Sequence, residues 1–221
     1  MSMKPLKKSD LDKRWMAPRR DRKRVLAPEY HLIITEGIKT EPNYFEGLKS
    51  DINRNFQGRI TIRIEGIGQG ANTLTLLERA EKIVKSSSEE FKHVWLVYDK
   101  DDFPKSAFDN TYFRCQDLSD DSITYHALWS NECIEFWFLL HYMRLESAIS
   151  RSEYFPKLTK ELGTKYEKNR EDIYNVLKPN LPAAITNAKS ILASYNGLPP
   201  SQCTPGTTVY EIFEMLAPYL K

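Results

Sequence analysis

Residues 94–104 read VWLVYDKDDFP, and the fold turns on that stretch. Five apolar or aromatic residues, Val94 to Tyr98, run without a polar break and then meet Asp99, Asp101 and Asp102. An apolar run bounded by polar residues predicts a strand buried on both faces, as in a parallel sheet covered by helices. Side chains alternate along a strand, so carboxylates at i and i+2 point the same way. Asp99 and Asp101 therefore project together from the strand's C-terminal end, where open α/β sheets place their ligands. Like charges a few Å apart repel unless a cation or donor lies between them. A hard divalent ion with oxygen ligands is the simplest such partner. A solvated acidic turn would explain the DxDD alone, so the decision rests on the rest of the chain.

Upstream, His31 to Thr35 (HLIIT) predicts a short strand running into Glu36-Gly37. A helix follows from about Thr40-Glu41-Pro42, where Thr can cap and Pro is tolerated, with Tyr44, Phe45 and Leu48 on one face. Arg59 to Glu65 (RITIRIE) alternates apolar and charged residues and predicts a half-exposed strand near an edge. After the glycines at 66, 68 and 70, Asn72 or Thr73 caps a helix to about Lys85. Downstream, a helix to Leu118 precedes a strand from Ser122 to Trp129, and Asn131 caps an apolar helix from Glu132 to Tyr142. The order βαβαβαβα predicts an α/β fold: a mostly parallel four-stranded sheet flanked by helices. From about Leu145 the pattern is helical only, near 152–162, 167–177, 181–195 and 207–219. Three parts result: a basic arm (1–27), the α/β domain (28–145) and an α-helical C-terminal extension (146–221).

With 221 residues, 41% hydrophobic and 28% charged, the chain has the composition of a soluble globular protein. No apolar run approaches the roughly 20 residues of a membrane span, so no membrane association is expected. The basic N-terminus lacks the apolar core of a signal peptide, and three scattered cysteines exclude a disulfide framework. A reducing cytoplasm is expected. The net charge of +2 conceals an asymmetry, since residues 1–25 carry +7 and the remainder −5. Arg19, Arg20, Arg22, Lys23 and Arg24 make the arm a candidate contact for a nucleic-acid backbone. A solubilising tail would have the same composition.

Glu36 ends its strand as Asp99 and Asp101 end theirs. If those strands are neighbours, three carboxylates converge at one sheet edge, enough for Mg²⁺ with its retained waters. Glu135 lies in CIEFWFLLHY, and a carboxylate among apolar residues must be paired, protonated or metal-bound. Glu132 reads as a helix-start residue and His141 as a core histidine. Lys39, close behind Glu36, could bind a scissile phosphate, or simply be solvated. Lys165 and Lys168 flank Tyr166 in GTKYEKN, a cation and aromatic combination compatible with a nucleic-acid strand. No P-loop motif and no GxSxG occur in the chain.

A strand ending in Glu-Gly and another ending in DxD resemble the Toprim domain of topoisomerases, primases and OLD-type nucleases. More specifically, IITEGIKTEPNYFEGL (33–48), VYDKDDFP (97–104), SNECIEFWFLLHY (130–142) and TPGTTVYEIFEML (204–216) resemble RloB-like proteins. Those are bacterial Toprim proteins associated with phage defence and often encoded near AAA/ABC-type ATPases. The resemblance implies Glu36 as the Toprim glutamate, in acid/base work or metal contact, and Asp99 and Asp101 as the metal-binding pair. Two positions depart from the pattern: Ile38 stands where the family usually shows an acid, and Glu132 where Pro is expected.

The expected activity is therefore a Mg²⁺- or Mn²⁺-dependent nuclease acting on DNA or RNA in phage defence, with Glu36, Asp99, Asp101 and Glu135 as its catalytic acids. An ATPase partner and a homodimer belong to the same expectation. A non-catalytic subunit that binds nucleic acid or an ATPase around a structural metal remains open. So does a phospho-acceptor or phosphatase-like domain with Asp99 as nucleophile, which would give Glu36 no necessary role.

Overall fold

The computed structural model of the protein describes residues 28–68, 73–101 and 104–220. The basic arm, the Asn72 cap and Asp102 lie outside these residues. Five strands form one sheet: β1 (Glu29–Thr35), β2 (Ile60–Gly66), β3 (Phe91–Asp99), β4 (Thr124–Asn131) and β5 (Gly206–Thr207). Their order is β2-β1-β3-β4-β5, parallel except for the β4–β5 pair. The α/β class follows the sequence reading, and β1 and β3 are neighbours, which meets the condition set for the three carboxylates to converge. The alternating RITIRIE segment forms edge strand β2.

β3 explains its own composition. Trp95 and Val97 enter one apolar cluster, and Val94, Leu96 and Tyr98 the other, so both faces demand apolar side chains. Helices α2 (Thr73–Ser86) and α3 (Lys105–Leu118) cover the second face through Leu76, Leu77, Ala80 and Phe108. The first face is covered by α1 (Thr40–Phe56) and α4 (Ile134–Leu139). Four later helices, α5 (Arg151–Leu162), α6 (Ile173–Leu177), α7 (Leu181–Ala193) and α8 (Tyr210–Met215), pack on that same cluster. No helix among the described residues is long and apolar enough to cross a membrane.

Several details differ from the sequence reading, and the helices expected near 167–177 and 207–219 are confined to Ile173–Leu177 and Tyr210–Met215. A fifth strand is added, because Gly206 and Thr207 pair with Asn131 and Ser130. Two residues carry no periodicity, so this strand has no signature of its own. Asn131 is not a helix cap: it ends β4, and its amide donates to Thr204 Oγ1 (2.8 Å) and Pro200 O (3.3 Å). The following helix is accordingly shorter, with Cys133 at its N-cap and Glu132 outside it.

Candidate functional site: an acid cluster at the strand ends

The parallel pairing of β1 and β3 brings their C-terminal ends together. Glu36 N–H continues the ladder by donating to Val97 O (3.1 Å), and Asp99 N–H lies 3.4 Å from Glu36 Oε2. The chain past Asp99 is tied down by its neighbour: Lys100 N–H donates to Ser130 O (2.8 Å) and Asp101 N–H to Glu132 O (3.1 Å). Asp101 has φ +36°, a left-handed conformation that Asp tolerates better than most residues.

Two further carboxylates join the three expected at this edge. Glu135, in the first turn of α4, is 1% exposed. It accepts a hydrogen bond from Tyr166 O–H (3.1 Å) and lies 3.9 Å from Lys168 Nζ. Glu41, in the first turn of α1, is also buried. Gly37 makes room for it, since a Cβ there would overlap the Glu41 carboxylate. Opposing this negative charge from the rim, Arg151 Nη1 lies 2.6 Å from Asp101 Oδ1.

The electrostatics follow from that crowding. Burial lifts the Glu36 carboxyl to about 7; Asp101 and Glu41 push the same way, while the Asp99 N–H and Arg151 pull back. Burial, then the charges of Glu41, Glu135, Asp101 and Glu36, raise Asp99 well above the usual range. Glu41 and Asp101 are raised chiefly by burial as well, Asp101 with Arg151 in opposition. Asp99 Oδ1 and Glu135 Oε2 are buried and accept no hydrogen bond from the described residues. Buried carboxylate oxygens without donors are costly. An all-oxygen, anionic donor set with orphaned atoms fits a hard divalent cation, which Glu36, Asp99 and Asp101 could hold, with Glu41 or Glu135 beside them.

The family model described as RloB-like protein matches residues 31–216. This chain belongs to the RloB-like family. No curated protein and no solved structure matches it significantly. The matched span contains all five acids, Arg151 and Lys168.

The basic side chains divide differently. Lys168 reaches the site, packed over Phe155 (5.6 Å to the ring centroid), whereas Lys165 pairs with Glu167 in solvent (3.3 Å). Lys39 is exposed immediately before α1. Arg19, Arg20, Arg22, Lys23 and Arg24 lie outside the described residues. Ile38 is 62% exposed, so the family's acidic position contributes no buried charge here. His141 is a core residue: Nδ1 lies 3.0 Å from Trp137 O, and burial lowers its pKa to about 4.

Sequence reasoning missed Glu41, because an acid in a first helical turn is already explained by the helix dipole. Arg151 offered no signal, since only the tertiary packing of α5 brings it to β3. A second titratable cluster was also missed, at the opposite end of the same strands. There the donor atoms of Glu29, His31 and His93 lie within 4.8 Å of one another. Trp95 Nε1–H donates to His31 Nδ1 (3.1 Å), which leaves His31 its proton on Nε2, 2.9 Å from Glu29 Oε1. His93 Nε2 lies 3.3 Å from the same oxygen, and His93 Nδ1 lies 3.0 Å from His126 Nε2. With the His93 proton on Nε2, its Nδ1 accepts from His126, and the chain of donors ends on Glu29.

Proposed function

We propose that this protein is a Mg²⁺- or Mn²⁺-dependent Toprim-type nuclease that hydrolyses DNA or RNA phosphodiesters. The observation that carries the reading is the buried acid cluster, in which Asp99 Oδ1 and Glu135 Oε2 have no donor and Asp101 Oδ1 has only the ion pair with Arg151. A bound divalent cation would polarise a phosphoryl oxygen and acidify a water. Asp99 and Asp101 would hold it, their positions fixed by the end of β3 and by the backbone bonds to Ser130 and Glu132. Glu36 takes the proton of the attacking water: one of its oxygens faces the Asp99 N–H, leaving Oε1 for that proton. Burial and the neighbouring acids raise its proton affinity in the cation-free protein, and a bound cation would draw it back toward the ionised form that a base requires. Glu135 is oriented by Tyr166 and serves as a supporting ligand or second-site acid. Lys39 and Lys168 neutralise backbone phosphates at the rim, and the arginines and lysine of the N-terminal arm supply further charge for the same backbone.

Action in phage defence under control of an AAA/ABC-type ATPase is the biological setting we propose, from the family resemblance. The test is cleavage of plasmid DNA, single-stranded DNA and total tRNA with Mg²⁺ or Mn²⁺, with and without a neighbouring ATPase. Wild type should cut at least one substrate, and Asp99→Ala and Glu36→Ala should not. Cutting that persists in both variants would overturn the assignment. So would the absence of cutting under every condition if both variants still protect cells from phage, an outcome pointing instead to a binding subunit.

A further inference from the structure

Of the cations at the rim, Arg151 is the one placed against its own local preference. It opens α5, where the helix dipole disfavours positive charge. That turn is already organised by Ser150, whose N–H and O–H both donate to Glu153 Oε2 (2.9 Å each). Nothing in the helix itself calls for a cation there. What holds the guanidinium is the acid cluster, through the 2.6 Å contact to Asp101. Its charge also pulls down the proton affinity of Glu36, and Asp99 in turn raises that of Arg151. The guanidinium thus touches Asp101 and acts on Glu36 and Asp99 through its charge, from a position where 43% of its side chain stays in solvent.

A divalent cation and Arg151 would compete for the same Asp101 oxygen. We infer that Arg151 is a displaceable counter-ion: it occupies Asp101 in the cation-free protein and, once a cation takes that carboxylate, turns to a phosphate of the nucleic-acid substrate. This rests on the metal-dependent nuclease reading above. The chemistry suits the exchange, because a guanidinium binds carboxylate and phosphate with the same planar fork of donors. The orphaned Asp99 Oδ1 fits the first state, since one exposed guanidinium committed to Asp101 leaves that buried oxygen unmet. Lys168 does not share the exchange, since it lies 3.9 Å from Glu135 rather than on a strand-end acid, so a cation at Asp101 need not displace it before it meets a phosphate.

The decisive experiment measures two affinities in wild type, Arg151→Met and Arg151→Lys. Mn²⁺ binding is followed by electron paramagnetic resonance at about pH 8.5, above the ordinary carboxylate range and above the Glu36 value of about 7. Binding of a fluorescent single-stranded oligonucleotide is followed by anisotropy in Ca²⁺. Arg151→Met should bind Mn²⁺ at least about five-fold tighter, because a competing like charge is gone. It should bind the oligonucleotide several-fold more weakly, with a salt slope shallower by roughly one phosphate contact. Arg151→Lys should keep wild-type Mn²⁺ affinity and lose part of the oligonucleotide affinity. Unchanged or weaker Mn²⁺ binding in a folded Arg151→Met protein would overturn the counter-ion role while leaving the nuclease reading intact. Unchanged oligonucleotide binding would overturn the transfer to phosphate. Absence of Mn²⁺ binding in wild type and variants alike would overturn the metal reading itself.

Discussion

The β1–β3 pair carries titratable clusters at both ends, and they differ in how their polar atoms are met. At the N-terminal end, each shared proton of His31, His93 and His126 has an acceptor, and Trp95 fixes the tautomer at its start. At the C-terminal end, buried acids crowd together and Asp99 Oδ1 and Glu135 Oε2 have no donor. The first network is complete as it stands. The second leaves buried oxygens that the divalent cation of the proposed function would meet. On that proposal, unmet valence rather than proximity of ligand-type side chains points to the metal site. For His31 to bind a metal through Nε2, its proton would have to move to Nδ1 and confront the Trp95 N–H, donor against donor.

The two ends also impose opposite dependences on pH. Burial lowers His31 and His126 from 6.5 to about 4, so the stability they contribute is full above pH 6.5 and lost as pH falls through about 4. Burial raises Glu36 from 4.5 to about 7, and Asp99, Glu41 and Asp101 move upward too. Their contribution is full below the ordinary carboxylate range and lost as pH rises through about 7 for Glu36. Between pH 4.5 and 6.5 the two slopes oppose each other. Above that range the acid end alone remains, and the cation-free protein loses stability.

The contrast can be broken most severely at its chemical claim. Asp99→Asn should lower metal-dependent cleavage on the order of a thousand-fold, whereas His93→Gln should leave it within about two-fold, both read from initial rates. Asp99→Asn should at the same time raise the melting temperature of the cation-free protein by several degrees at about pH 8, because it removes a raised carboxyl. Next, Mg²⁺ at about a hundred times its dissociation constant should stabilise the fold by about 3 kcal/mol at pH 8. At about pH 5 it should stabilise far less, because protons then occupy the acids; urea unfolding at both pH values checks this. His31→Leu should cost about 1–3 kcal/mol at neutral pH by leaving the Trp95 N–H without an acceptor. It should also flatten the acid limb of the stability curve. The smallest stability effect belongs to Gly37→Ala, which displaces the end of a flexible side chain, Glu41, rather than backbone. Stability should fall by about 1 kcal/mol or less, while cleavage falls several-fold; a larger stability loss would show that the acid cannot move.

The strand-end acids were legible because two signals coincide in them. An apolar run fixes the strand, and the polar residue that ends it marks the sheet edge, as in HLIIT-Glu36 and VWLVY-Asp99. Glu135 was legible by contradiction, as a charge inside an apolar helix. Glu41 was hidden because a helix start supplies an innocent reason for an acid. The histidine network was hidden because it depends on inter-strand register: His31 aligns with His93, and Trp95 with His126. Side-chain alternation within one strand carries no such information. Arg151 and Tyr166 reach the site only through packing of the later helices on α4, a long-range outcome that local pattern does not encode.

The pairing of β5 with β4 has a consequence for synthesis. Ser130 and Asn131 wait for Thr207 and Gly206, and Trp129 N–H waits for Thr208 Oγ1 (3.0 Å). The ribosome therefore releases the strand-end acids long before it delivers the residues that close the sheet beside them. Arg151, Tyr166 and Lys168 also emerge late. A nascent chain that has not yet reached residue 206 holds the acids without the strand that closes the sheet beside them, and the cluster gains its full surroundings only after residues 206–208 have followed.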